Sequence, residues 1–275
     1  MRYERIPIMN NTSQQEAPYM DAYLLDTTAE NPHFAKRPAV IICPGGAYAF
    51  VSEREGEAVA MRFLAAGFHA FILQYSIAPA RFPTALIQLA DAVRQVRANA
   101  DDWKVADHQI YSMGFSAGGH LCGSLGTLWN HPVLETAFGK PAGEKPWKPD
   151  GMLLCYPVIT MDIFTHGGSR SNLLGETPSA EQLQLLSLEK QVNGDTVPTF
   201  LWHTQEDQAV PVENSLQFAA ALRKAGVPFE LHVYQKGPHG ISLCDETTSY
   251  DAQQIVTDDA GWIDLAIAWV KRQQA

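Results

Sequence analysis

Residues 110–120 read Ile110-Tyr111-Ser112-Met113-Gly114-Phe115-Ser116-Ala117-Gly118-Gly119-His120. A short apolar run enters Gly-x-Ser-x-Gly and leaves as a helix. That order describes a sharp strand-to-helix turn that lifts one hydroxyl, Ser116, clear of a sheet edge. Glycine suits both flanks, because a residue without Cβ does not clash where backbone closes on backbone. Ala117 and Gly118 are small enough for a substrate carbonyl to come close. So short a motif also recurs by chance in glycine-containing loops, so its meaning rests on context. Here a strand precedes it and a helix follows.

Outward from the elbow, strands and helices alternate. Two weak strands are expected within residues 2–26. Pro38-Ala39-Val40-Ile41-Ile42-Cys43 is almost unbroken apolar sequence, as in a central strand covered on both faces. A helix is expected over 53–66, a buried strand over 68–75 and a strong helix over 83–100. After the elbow helix (117–129) come strands at 151–156, 199–204 and 229–234, with helices at 212–225 and 259–272. This alternation predicts an α/β fold: a mostly parallel sheet of about eight strands with helices on both faces. The 275 residues contain no linker-like tract, so one domain, 1–275, is expected. Residues 162–193 break the alternation, with a short leucine-rich helix near 181–188. They are read as a small cap, a lid or wall at the substrate end of the sheet.

A serine hydroxyl needs a base within hydrogen-bond reach, and the base needs an orienting acid. For an elbow of this kind the chain order is serine, acid, histidine. The acid belongs after a late strand, where Gln205-Glu206-Asp207-Gln208-Ala209-Val210-Pro211 follows 199–204. Asp207 is preferred because a short, rigid carboxylate orients a partner better; the preference also leans on the family pattern given below. Glu206 is its competitor, read as a solvated loop charge. The base belongs after the next strand, where Gly237-Pro238-His239-Gly240 holds an imidazole in a restricted turn. Of the nine histidines, His33, His69, His108, His131 and His232 are read as ordinary surface or core residues. His120 and His203 are assigned to hydrogen bonding around the elbow and under the acid loop. His166, in the insertion, is a candidate pocket residue.

Acyl transfer builds negative charge on the substrate oxygen, and one pre-aimed donor is worth about 2.7–4 kcal/mol. The amide after the nucleophile, Ala117, is one expected donor. Gly46 and Ala47, in Pro44-Gly45-Gly46-Ala47-Tyr48, are the others, with Tyr48 close behind as a substrate-contact candidate.

Composition narrows the partners. The formal charge of −10 argues against nucleic acid or an anionic membrane as the main partner. No apolar run is long enough to span a bilayer. Met1-Arg2-Tyr3-Glu4-Arg5 lacks the apolar core of a signal peptide, so a cytoplasmic location is expected. The four cysteines are scattered without ligand spacing and read as buried free thiols. No metal cluster or phosphate loop is seen, and no cofactor is expected. The sequence leaves open whether copies of the chain form a homo-oligomer.

Together these residues resemble the α/β-hydrolase superfamily, and more narrowly its acetyl-xylan-esterase-like group. The likeness runs from about residue 38 to the end. It rests on Cys43–Tyr48, Gly114–Leu121, Trp202–Asp207 with Val210-Pro211, Gly237–Gly240, and Asn172–Gly175 with Ser187–Glu189. It implies Ser116 as nucleophile, His239 as base and Asp207 as acid. The implied activity is removal of short acyl groups, chiefly acetyl, from sugars such as xylo-oligosaccharides or from small alcohols. One departure stands out: Pro44 and Ala47 replace the first and last residues of the lipase-like His-Gly-Gly-Gly. The bulkier loop argues for small acyl groups. A peptidase or amidase on the same scaffold, and a non-catalytic binding protein, are the competing readings.

Overall fold

Ala39 through Cys43 are all fully buried, as a strand is only when both its faces are covered. The computed structural model describes residues 1–12, 17–28, 30–140, 143 and 145–273. Its sheet has eight strands: β1 (Arg2–Pro7), β2 (Tyr19–Leu24), β3 (Arg37–Cys43), β4 (His69–Gln74), β5 (Val105–Phe115), β6 (Gly151–Cys155), β7 (Thr199–Thr204) and β8 (Phe229–Tyr234). Their spatial order is β1-β2-β4-β3-β5-β6-β7-β8. The β1–β2 and β2–β4 pairs are antiparallel and every later pair is parallel.

The helices are α1 (Glu57–Ala65), α2 (Thr84–Ala98), α3 (Ala100–Trp103), α4 (Ala117–Leu128), α5 (Pro132–Phe138), α6 (Gly167–Leu174), α7 (Ala180–Leu186), α8 (Glu213–Ala225) and α9 (Trp262–Arg272). Alternate strand residues point to opposite faces. Ile41, Phe71, Leu154 and Leu201 share one core with Leu89 of α2, Leu125 of α4 and Phe218 of α8. Val40, Met113, Leu153 and Trp202 share the other with Phe63 of α1 and Trp262 of α9. Each such large side chain contributes roughly 1.5–3 kcal/mol by leaving water. All four cysteines are free and buried. No helix among the described residues is long and apolar enough to cross a membrane.

The expected 53–66 helix is corrected. Residues Glu53–Glu55 form a separate 3-10 turn, and Gly56 (φ −106°, ψ −99°) interrupts before α1. At this break the Glu55 side chain turns inward and is 3% exposed. Within the insertion, α6 was not foreseen, because Gly-Gly-Ser-Arg-Ser-Asn is a poor helix former. Its packing and cap support it: Leu173 and Leu174 are buried, and the His166 side chain accepts from the Ser169 amide.

Register decides where the loops go. Cys43 pairs with Gly114, Phe115 with Cys155, Cys155 with Trp202 and Thr204 with Tyr234. Strands β3, β5, β6, β7 and β8 therefore end along one edge, and the segments that follow them gather there. The elbow lies at its centre. A Cβ on Gly114 would sit 2.1 Å from the Gly118 carbonyl oxygen, and one on Gly118 would sit 2.0 Å from that of Cys43. Neither position has space for a side chain, so the tight turn depends on both glycines. Gly118→Ala is expected to destabilise the fold by at least about 2 kcal/mol in urea unfolding. Gly261→Ala, where a Cβ meets nothing within 4 Å, should stay within about 0.5 kcal/mol of the parent.

Candidate active site

Ser116 is the single residue between β5 and α4. It holds φ 53° and ψ −117°, a region that costs an L residue about 1–3 kcal/mol. Backbone hydrogen bonds hold it there: its amide donates to the Cys155 carbonyl at 3.0 Å, and its carbonyl accepts from the amides of His120 and Val158, both at 3.1 Å. The result is a hydroxyl on the sheet edge with its Oγ 2.8 Å from His239 Nε2. His239 Nδ1 lies 2.6 Å from Asp207 Oδ2. With Nδ1–H donating to the carboxylate, Nε2 is left to accept the serine proton.

The two adjacent acids part ways. Asp207 turns in, its side chain fully buried. Glu206 stays exposed and accepts from the Gly237 amide at 3.3 Å. Asp207 Oδ1 accepts from the amides of Ala209 at 3.0 Å and Val210 at 2.8 Å, which fixes the loop around it. His203 Nε2 approaches Oδ2 at 3.3 Å, so a second imidazole supports the carboxylate from behind. His203 is itself held by Ser215 Oγ at 2.8 Å and the Val210 carbonyl at 2.9 Å. Burial alone would push the Asp207 carboxyl up. The bonds from His203 and His239, the His239 charge and the Val210 amide outweigh it and hold Asp207 well below the usual carboxylate range.

The loop after β3 is pinned atom by atom. The Pro44 carbonyl accepts from Tyr75 Oη at 2.7 Å, and the Gly45 carbonyl from the Ser52 amide at 3.0 Å. The Gly46 carbonyl accepts from the Ala49 amide at 2.9 Å, the Ala47 carbonyl from Asn172 Nδ2 at 2.9 Å, and the Tyr48 carbonyl from the Ala78 amide at 2.8 Å. Gly45 N–H donates to Glu55 Oε2 at 2.6 Å. The amides of Gly46 and Ala47 have no acceptor among the described residues, and neither does the Ala117 amide at the first position of α4. Gly46 needs φ 120°, and a Cβ there would lie 2.1 Å from the Phe50 carbonyl oxygen.

Tyr48 is corrected. Successive positive φ angles at Gly46, Ala47 and Tyr48 fold its ring inward. It is 2% exposed, and its hydroxyl lies 3.0 Å from His120 Nδ1. It packs beneath the loop and does not face a substrate. His120 Nε2 lies 2.9 Å from the Leu186 carbonyl, and burial lowers this imidazole to about 4. It is a neutral strut between the elbow helix and the insertion, where the sequence reading assigned it only to hydrogen bonding around the elbow. His166 is half-buried at the start of α6, and Nδ1 accepts from the Ser169 amide at 3.2 Å. Burial first, then the neighbouring His239 charge, pushes it below the ordinary histidine range. Its neutral form therefore carries the proton on Nε2.

The sequence does not single out Glu55, Tyr156 or Arg54 as site residues, and Asn172 enters it only through the family-like stretch Asn172–Gly175. Glu53-Arg54-Glu55-Gly56-Glu57 looks like a solvated helix start, and nothing in it marks one glutamate as buried. A cavity of about 870 Å³ opens at the other end of the sheet, beside Trp129, Lys148 and Pro198, away from all these side chains.

The BD-FAE family model matches residues 21–222. The chain belongs to the BD-FAE family. An endo-1,4-beta-xylanase B of Butyrivibrio fibrisolvens is 39% identical over 220 residues, 77% of this chain and 33% of that protein. An acetylxylan esterase of Xylanibacter ruminicola is 27% identical over 231 residues, 82% of this chain and 45% of that protein. The chain thus spans between a third and a half of the length of these two relatives. The crystal structure of an acetyl ester-xyloside bifunctional hydrolase from Caldicellulosiruptor lactoaceticus aligns with a TM-score of 0.83 at 34% identity, covering 98% of this chain and 96% of that one. The expected α/β-hydrolase fold and acetyl-xylan-esterase-like kinship are both met.

A depressed folded-state carboxyl stabilises the fold fully above its unfolded value, near 3.9, and less as pH falls toward its folded value. Urea unfolding of the parent and of Asp207→Asn should therefore differ by a constant amount from about pH 5 to 8. The gap should close as the solution is acidified below about pH 4. A gap that widened on acidification would contradict the hydrogen-bonded, ionised Asp207.

Proposed function

We propose that this family member is a serine esterase that removes short acyl groups, chiefly acetyl, from sugars such as xylo-oligosaccharides. One observation carries the reading: Ser116, His239 and Asp207 form a continuous hydrogen-bonded chain beside backbone amides that have no acceptor among the described residues. In this reading Ser116 Oγ attacks the ester carbonyl as His239 Nε2 takes its proton. Asp207 holds the imidazolium that forms. The amides of Ala117, Gly46 and Ala47 receive the developing oxyanion. His239 then returns the proton to the leaving alcohol, and an acyl-Ser116 remains. Water, deprotonated through the same imidazole, releases the acid and restores the serine. No step calls on a cofactor.

The acyl and alcohol halves are argued from different grounds. With the Tyr48 ring buried, loop bulk behind Ala47 no longer supports a short acyl group. That preference now rests on kinship with proteins named for acetyl esters and xylan. The insertion supplies one wall of the substrate groove in this reading, with His166 Nε2–H as a donor toward the sugar. Its ties to the body favour a fixed wall over a swinging lid: Asn172 to the Ala47 carbonyl, Arg81 to the Ser171 and Asn172 carbonyls, and the Leu188 amide to the Ile159 carbonyl.

Ser116→Ala should lower acetyl-ester turnover by three or more orders of magnitude, about what loss of a triad member costs. It should also abolish fluorophosphonate labelling while leaving the unfolding midpoint within a few degrees. Turnover at the parent rate would refute the assignment. In an acetate-release screen, acetylated xylo-oligosaccharides and acetyl nitrophenyl ester should outpace octanoyl nitrophenyl ester and aminoacyl nitroanilides. Preference for the octanoyl ester or for the anilides would redirect the reading to a lipase or a peptidase.

A further inference from the structure

Glu55 is a buried carboxylate that the triad chemistry leaves without a role. It is 3% exposed and has no ion-pair partner among the described residues. Its two oxygens reach the two halves of the site. Oε2 accepts from Gly45 N–H at 2.6 Å, at the root of the loop that presents the Gly46 and Ala47 amides. Oε1 accepts from Tyr156 Oη at 2.7 Å. Tyr156 Oη in turn accepts from the Ser242 amide at 3.0 Å, three residues beyond His239, and its ring meets the His239 ring edge-on with centroids 5.1 Å apart. Arg54, next in the chain, spends its guanidinium elsewhere. It donates to the carbonyls of Gly240 and Thr248 and to Gln254 Oε1, clamping the same histidine loop.

A carboxylate in this position is expensive to bury, and apolar replacements usually serve a core as well or better. Both donors found here suit the ionised form, because each oxygen only accepts. Burial pushes Glu55 above the ordinary range; the bonds from Tyr156 and Gly45 and the charge of His239 pull the other way. The titratable or charged groups that feel it are Arg54 on its own turn, Tyr75 after β4, Cys155 and Tyr156 at the end of β6, and His239. Burial keeps the phenols and the thiol neutral. Among these groups, His239 is the one that gains a positive charge during the reaction.

We propose that Glu55 is a positioning residue: its carboxylate fixes the oxyanion loop through Gly45 and favours the imidazolium of His239 across the Tyr156 ring. The inference rests on the Ser116–His239–Asp207 reading and adds to it a second buried carboxylate, acting without touching substrate. Removing the charge should weaken the stabilisation of positive charge at this site, so the acidic limb of kcat/KM moves to lower pH. A residue that only held the fold together would lower the amount of active protein and leave that limb in place.

Glu55→Gln keeps the shape and one acceptor but removes the charge; Glu55→Leu removes both acceptors. The expected result is a fall in kcat of about tenfold for Glu55→Gln and about a hundredfold for Glu55→Leu. KM should change by less than about threefold, and the acidic limb should shift down by about half a pH unit or more in both. A kcat within about twofold of the parent, or a limb that does not move in folded protein, overturns the proposal. If neither variant folds, Tyr156→Phe decides, since it deletes the hydroxyl bonded to Glu55 and keeps the ring; unchanged kcat there overturns it. Ser116→Ala run alongside separates the two claims. An inactive Ser116→Ala with parent-like Glu55 variants removes only the Glu55 role, whereas an active Ser116→Ala removes the triad beneath it.

Discussion

One backbone state governs this site: Ser116 at φ 53° and ψ −117°. An L residue does not rest there unaided. It is held because Phe115 is still paired in the sheet, α4 begins at the next residue, and Gly114 and Gly118 allow the two to close on each other without a Cβ between them. Relaxing the turn would point the hydroxyl away from His239 and draw the Ala117 amide out of line. The strain is offset by two apolar cores on either face of the sheet, so fold stability and site geometry are one problem.

The two buried carboxylates near that turn are treated oppositely. Asp207 receives two backbone amides and two imidazoles, and these hold it well below its ordinary range against the pull of burial. Glu55 receives one amide and one phenol, and burial wins. The difference is in the donors. Charged or chargeable imidazoles favour a carboxylate far more than neutral partners do. A firmly ionised acid suits the histidine's direct partner.

Much of this was legible in the sequence because it is carried by backbone chemistry with a local signature. The run at 38–43 suits a doubly covered strand, Gly-x-Ser-x-Gly between a strand and a helix suits a tight elbow, and Gly-Pro-His-Gly restrains its imidazole within four residues. The preference for Asp207 over Glu206 rested on the shorter, more rigid side chain and on the family pattern; the structure adds that its Oδ1 accepts from the Ala209 and Val210 amides. What the sequence hid depends on tertiary direction. Glu55 and Glu53 are indistinguishable as letters, yet only one turns inward toward Gly45. Tyr48 looked available because it stands close behind the candidate oxyanion loop, but the positive φ angles of the loop carry its ring into the core. Helix α6 has little intrinsic propensity and stands on packing that no local pattern announces.

The central claim is that Ser116 carries the acyl group between attack and release. The most direct measurement is rapid-quench peptide mass spectrometry after mixing the protein with a nitrophenyl acetate at low pH, where deacylation is slow. The account predicts one acetyl group per chain, on the peptide containing Ser116 and on that hydroxyl, appearing as fast as the nitrophenol burst. Turnover with Ser116 never acetylated, or acetyl found on another side chain at the burst rate, would contradict it.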